Sequence, residues 1–350
     1  MNNFYNQNGQ FGGWNSSPYG YEAEMYNEQV LKQTQRKNKM EEIKNIGSKC
    51  GLAVILYVVI SYGLSLLLIL VSWIFPSISK LYTETVPALA FDILVTIFAI
   101  AVPFFIIHKK MKKEKISEVL PFGTTYNKEL AINIVMIFIP VMVMSALAIN
   151  SVSAVIQEIL GIEFESAVSE ITLAGTKEAF MGILSVALVP AIVEEAVIRG
   201  IVMQPLRKFG DKFAIIASAV LFACMHGNMV QIPYTVVGGM LLGYLAVATG
   251  SLWPSVILHF VNNLYSVVVI VTNDNYGENA SALAIALMLI AFAIIGVVGV
   301  VRLIKLKYKV TLEEEKSLTI GEKISSFVKN GPMIVAIAML IVITISNIKF

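Results

Sequence analysis

Long apolar runs, divided by short polar stretches, dominate this chain from residue 51 onward. A helix that crosses a bilayer needs about 20 apolar residues in a row. Nine stretches approach that length: 51–75, 88–107, 130–149, 180–204, 213–229, 232–249, 251–272, 281–301 and 332–348. The fifth and sixth are short or crowd their neighbours, and only Thr249-Gly250-Ser251 divides the sixth from the seventh. The pattern predicts an all-α fold, a polytopic transmembrane bundle of about 8–9 spans. The first run follows a long polar stretch and exceeds the apolar core of a cleaved signal peptide.

Charge orients the bundle. With the N-terminus in the cytosol and the spans alternating, the inner segments are 1–49, 108–128, 205–212 and 302–331. These hold every Lys and Arg except Lys80, Lys177 and Lys349 on the other side and Arg199 within a span. The N-terminus is therefore expected in the cytosol and the C-terminus outside. Four parts follow. Residues 1–49 read as a disordered, basic cytosolic tail, because 1–31 are rich in Asn, Gln, Gly and Tyr. Residues 50–179 read as N-terminal transmembrane helices followed by an amphipathic outer-face segment, with Glu158, Glu163, Glu165, Glu170 and Glu178 set among apolar residues. Residues 180–272 form the core that carries the chemistry. Residues 273–350 supply the last helices and a basic cytosolic loop.

Composition sharpens this picture. Hydrophobic residues are 57% and charged residues 14% of the chain, against roughly 25% charged in soluble proteins. Mean hydropathy is +0.75. These values exclude a soluble globular enzyme and a disordered chain, and place the protein in a membrane, the cell membrane by expectation, as a multi-pass protein. A net charge of +2 gives no argument for nucleic acid. Cys50 and Cys224 cannot build a disulfide framework. His108, beside Lys109 and Lys110, reads as solvated.

An ionisable group inside a bilayer costs a few kcal/mol and generally has a task. The spans contain Asp92, Glu194, Glu195, Arg199, His226 and His259, with the amides Asn262 and Asn263, and most lie in the fourth, fifth and seventh. Neighbours on a helix point about 100° apart, so Glu194 and Glu195 face different ways. Arg199 follows Glu195 by four residues, the favourable order for a pair along one face. Glu195 is thus expected to pair with Arg199, and Glu194 to point into a cavity. Phe222 shares a face with His226, and His259 with Asn263, again at four-residue spacing. Measured from the inner edge, Glu194 lies at roughly 20 Å, His226 at roughly 21 Å and His259 at roughly 14 Å along their helices. Gly239 and Gly243 read as a close-packing face. Pro190 is expected to distort its helix near Glu194.

A carboxylate and an imidazole around a water molecule are parts for hydrolysis: the base takes a proton, water attacks a carbonyl, and a further donor steadies the oxyanion. No serine-nucleophile elbow appears. Two histidines and a glutamate are also a catalytic zinc set, but the His-Glu-x-x-His spacing is absent. No cofactor is expected. Were zinc to bind, Glu194, His226 and His259 would be its ligands.

Glu194-Glu195-x-x-x-Arg199, then Phe222-x-x-x-His226, then His259-x-x-x-Asn263, each on an apolar helix, resembles the CAAX-protease and bacteriocin-processing (Abi) family, which includes the type II CAAX prenyl endopeptidases. The resemblance covers about residues 180–270, including Gly243-Tyr244-Leu245 and Thr249-Gly250-Ser251-Leu252-Trp253-Pro254. It implies an intramembrane endopeptidase, with Glu194 and His226 activating water. His259 and Asn263 would form the oxyanion side. Glu195 and Arg199 would act as close support, and Phe222 and Asn262 would line the cavity. Members of the family are described both as metalloproteases and as glutamate-dependent proteases, and the spacing here favours the second. The expected substrate is a membrane-associated peptide or protein terminus, of CAAX or leader type, met within the lipid bilayer. Two other readings stay open: a non-proteolytic scaffold or immunity protein of the same family, and a proton-coupled transporter.

Overall fold

Helices form where the apolar runs lie. The computed structural model describes residues 18–116, 120–123, 126–164 and 171–349. In chain order the helices are α1 (Pro18–Ile74), α2 (Thr85–Lys113), α3 (Lys128–Leu160), α4 (Thr176–Arg207), α5 (Asp211–Met225), α6 (Gln231–Thr249), α7 (Trp253–Tyr276), α8 (Glu278–Leu306), α9 (Ile320–Val328) and α10 (Gly331–Ser346). Two single turns, Pro76–Ser79 and Lys80–Thr83, join α1 to α2. Two short strands, β1 (Glu163–Phe164) and β2 (Ile348–Lys349), pair antiparallel, with Glu163 opposite Lys349 and Phe164 opposite Ile348.

Among the described residues, seven helices (α1 to α4 and α6 to α8) are long and apolar enough to cross a membrane. The pair α9–α10, bent by 83°, makes an eighth if counted as one span. The fifth apolar run behaves differently from its neighbours. Its helix, α5, has 15 residues, about 22 Å of rise against the roughly 30 Å of a hydrocarbon core. It stops because Gly227 turns the chain at φ +60°, where a Cβ would also lie 2.8 Å from Ile343 Cγ2.

Residues 18–49 are not a disordered tail. They form the first half of α1, continuous with the first span. Residues 21–46 contain neither Gly nor Pro, and Glu28 pairs with Lys32 at 2.6 Å one turn on, so local propensity and pairing carry the helix out of the apolar run. Residues 1–17 lie outside the described residues. The outer-face segment is also not one amphipathic helix. Glu158 belongs to α3, which Gly161 ends at φ 63°; Glu163 lies on β1 and Glu178 in the first turn of α4. Glu165 and Glu170 lie outside the described residues. His108 is 8% exposed and so is buried rather than solvated.

Two prolines follow widened turns in their helices, Pro190 as expected and Pro103 likewise. A wide π-turn at Thr96–Ala101 precedes Pro103, and another at Ile183–Leu188 precedes Pro190. Proline has no N–H to return to the preceding turn, and a widened turn accommodates that loss. A third wide turn, Ala196–Val202, places Arg199. The largest apolar cluster joins α1, α2, α4, α5, α9 and α10 through buried residues such as Phe104, Met111, Ile198, Phe213 and Phe327. Leu66, Leu67, Leu287, Ile290 and Ile294 stay exposed, the surface a bilayer would cover.

The polar end of α1 is tied to the loop before α9. Lys39 Nζ meets Glu315 Oε1 at 2.8 Å, Lys323 Nζ donates to the Glu315 carbonyl at 2.6 Å, and Arg36 Nη2 meets Glu322 at 2.6 Å. At Glu315, burial pushes the carboxyl up, but hydrogen bonds from Lys39, Ser317 and Lys323 outweigh it and hold the pKa at about 2, against an ordinary 4.5. The folded value lies below the ordinary one, so the stabilisation is complete above pH 4.5 and fades as pH falls toward 2. Glu315→Gln is therefore expected to lower the thermal midpoint of the purified protein at pH 7. The gap to wild type should narrow between pH 4.5 and the acid limit; a gap equally wide at both ends would contradict this assignment.

Candidate active site

A cavity of about 500 Å³ opens among α3 to α8, and Glu194, Phe222, His226, His259, Asn262 and Asn263 line it. These residues come from α4, from the end of α5 and from α7. Side chains distant in sequence meet here because α7 packs on α4, and α6 on α5. Asp92, His108 and Cys224 do not line the cavity.

Behind this wall sits a buried ion pair. Glu195 and Arg199 are both 0% exposed. Arg199 Nη1 donates to Glu195 Oε1 at 2.8 Å, and Nη2 donates to the Gly239 carbonyl of α6 at 3.0 Å. The close approach needs glycine. A Cβ at position 239 would lie 3.0 Å from the Ala219 Cβ and 3.4 Å from Arg199 Nη2. The guanidinium also covers the Phe222 ring at 4.9 Å, a favourable cation–π geometry. Arg199 Nε and Glu195 Oε2 have no hydrogen-bond partner among the described residues, so the pair is held at one point rather than as a fork.

Glu195 Oε1 receives a second bond, from His259 Nδ1 at 2.8 Å. The other nitrogen, His259 Nε2, lies 3.7 Å from Glu194 Oε2. The imidazole thus stands between the two carboxylates, one fully buried and one facing the cavity. Helix rise alone puts His259 closer to the inner edge than Glu194; in the fold its ring spans that difference.

His226 is fixed differently. Its Nδ1 lies 2.9 Å from the Phe222 carbonyl oxygen. A carbonyl only accepts, so Nδ1 carries the hydrogen, and in the neutral ring Nε2 keeps its lone pair. The Phe222 ring meets the His226 ring edge to face at 4.8 Å and the His259 ring at 6.1 Å. One phenyl group therefore supports both imidazoles and the guanidinium. Asn263 Nδ2 donates to the Val186 carbonyl at 3.1 Å, at the π-turn before Pro190, and Asn262 Nδ2 donates to Asn263 Oδ1 at 3.2 Å. An amide nitrogen has two hydrogens, so Asn263 retains one for another acceptor.

The expected Glu195–Arg199 pair and the turning of Glu194 toward a cavity are both present in this geometry. Further participants were not legible: the Gly239 carbonyl, the Val186 carbonyl and the rim amides Asn150 and Gln231. Backbone acceptors leave no side-chain signal, and Asn150 falls one residue beyond its apolar run. Among the described residues, no three of His, Cys, Asp and Glu stand close enough together to hold a metal ion.

Comparison with known proteins places a family on part of the chain. Residues 176–265 match the family described as type II CAAX prenyl endopeptidase Rce1-like. The match starts at the first residue of α4, ends within α7, and contains Glu194, Glu195, Arg199, Phe222, His226, His259, Asn262 and Asn263. Helices α1 to α3 and α8 to α10 lie outside it. No curated protein and no solved structure matches the chain.

Proposed function

We propose that this multi-pass membrane protein, whose residues 176–265 match the type II CAAX prenyl endopeptidase Rce1-like family, is an intramembrane endopeptidase that cleaves membrane-associated peptides or protein termini with activated water. The observation that carries this reading is the convergence of Glu194, His226 and His259, from three helices, on one cavity inside the apolar bundle.

The roles follow from the chemistry of each group. Water in the cavity donates one hydrogen to the Glu194 carboxylate and the other to His226 Nε2, the free lone pair of that ring. Its oxygen then attacks the peptide carbonyl carbon, and Glu194 takes up the proton. The carbonyl oxygen becomes an oxyanion on the side of Asn263 and His259, where the remaining hydrogen of Asn263 is the donor. The C–N bond then breaks, and the proton held by Glu194 passes to the leaving amine. Arg199 and Glu195 touch no substrate; they are positioning residues that hold His259 in place.

The cavity also limits its occupant. Among the described residues no Lys or Arg lines it, and Glu194 is its anionic group. A free carboxylate would find no counter-charge there. The residues seated in the cavity around the bond cut are therefore neutral and apolar, as in CAAX-type tails or leader peptides. With the basic helix ends in the cytosol of the cell membrane, the cavity lies toward the outer half of the bundle.

The test is a comparison of membrane proteomes from cells carrying the wild-type chain and Glu194→Gln at equal abundance. Fragments present with the first and absent with the second identify the substrate. Identical fragment patterns would remove the enzymatic reading.

A further inference from the structure

His226 borders two cavities. Besides the large one, a chamber of about 150 Å³ lies on its other side, walled by Tyr57, Ser61 and Tyr62 of α1, by His226, and by Ile343 and Asn347 at the end of α10. Helices α1 and α10 lie outside the matched segment.

The chamber exists because two adjacent helices are short. Helix α5 has 15 residues and α10 has 16, about 22 and 24 Å of rise, each less than a hydrocarbon core. Both start at the basic face, and both end near His226. Helix ends leave carbonyls without intrahelical donors, and such groups persist at membrane depth only when buried in protein or lining a wet space. The partners present are polar: the Tyr57 hydroxyl donates to the Met225 carbonyl at 3.3 Å, and Asn347 Nδ2 donates to the Gly227 carbonyl at 2.8 Å. At about 30 Å³ per molecule, the volume holds roughly five waters.

Hydrolysis consumes one water for each peptide bond cut, and a peptide seated in the large cavity displaces the solvent there. We propose that the chamber behind His226 is a water site that supplies the reaction from the side opposite the peptide, with the imidazole as the partition between them. This rests on the endopeptidase reading above. Each turnover draws one water past His226, and the chamber refills along the notch left by α5 and α10. The apolar segment in the large cavity never has to leave for solvent to return.

The full-length protein in liposomes tests this in two ways. First, Ser61→Cys is made in a Cys50→Ala, Cys224→Ala background and exposed to 2-aminoethyl methanethiosulfonate, with Val59→Cys as a comparison, since Val59 is 54% exposed on the apolar surface of α1. Modification of the Ser61→Cys variant and not of the Val59→Cys variant, read by intact mass, is expected. An unreactive thiol in the Ser61→Cys variant would mean a dry chamber and overturn the proposal. Second, Ser61→Leu fills the chamber and Ser61→Thr leaves it polar. Glu194-dependent fragment release is expected to slow at least about tenfold in kcat with KM unchanged for the leucine variant, and to stay near wild type for the threonine variant. Wild-type release by Ser61→Leu, alongside a reactive thiol in Ser61→Cys, would show a wet chamber that does not feed the reaction, and would also overturn the proposal. Should Ser61→Leu fail to fold, Ser61→Val, which fills less of the chamber, takes its place in the same assay. A wild-type protein that releases no Glu194-dependent fragment fails one step earlier, at the endopeptidase reading itself.

Discussion

Arg199→Met is expected to cost the protein about 3–5 kcal/mol of stability, the penalty for stripping one partner from a buried ion pair. Arg199 and Glu195 are both fully buried, and the guanidinium also holds the Gly239 carbonyl and covers the Phe222 ring. Methionine fills much of the volume but leaves the Glu195 carboxylate with His259 alone. The double variant Glu195→Gln, Arg199→Met removes the stranded charge and should recover part of the loss. The measurement is the unfolding midpoint of purified protein in micelles. A single variant within about 1 kcal/mol of wild type, or a double variant no better than the single, would show that the pair does not organise this region.

The second large effect concerns rate. His226→Ala is expected to slow cleavage by about 10²–10⁴-fold, the usual contribution of a positioned acid–base group. Stability should change little. The ring is hydrogen bonded to the Phe222 carbonyl, and such a bond contributes about 1 kcal/mol. Normal accumulation with lost cleavage is the expected result. A variant that cleaves at the wild-type rate would assign water activation to Glu194 alone; one that fails to accumulate would make His226 a structural residue.

Much of this site is open to a reader of the sequence, and the reasons are specific. Glu194, Glu195 and Arg199 stand out because charge is expensive in an apolar run, and the four-residue spacing of Glu195 and Arg199 has one geometric outcome on a helix. The two histidines and Asn263 stand out for the same reason. What the sequence withholds is contact between helices. Nothing in the run around Phe222 says that its ring will touch both imidazoles, and nothing near Gly239 says that its carbonyl will meet a guanidinium. The fifth apolar run overstates the length of α5 because it continues past His226, whereas the helix ends at a glycine with positive φ. The first half of α1 reads as disordered because polar composition hides its helical propensity. Its partners, Glu315 and Glu322, lie nearly three hundred residues away in the chain, at separations of 276 and 286.

In the proposed reaction Glu194, facing the cavity within the bundle, is the base for water attack on a peptide bond. The decisive experiment uses the purified full-length chain in liposomes, with the membrane segment identified by the proteome comparison as substrate, and follows release of the cleaved fragment by wild type and Glu194→Gln side by side. Glutamine keeps the size and loses the base. The expected result is release by wild type and at least about a 100-fold slower release by the variant, with matching unfolding midpoints. Equal rates of release from the two proteins would contradict it.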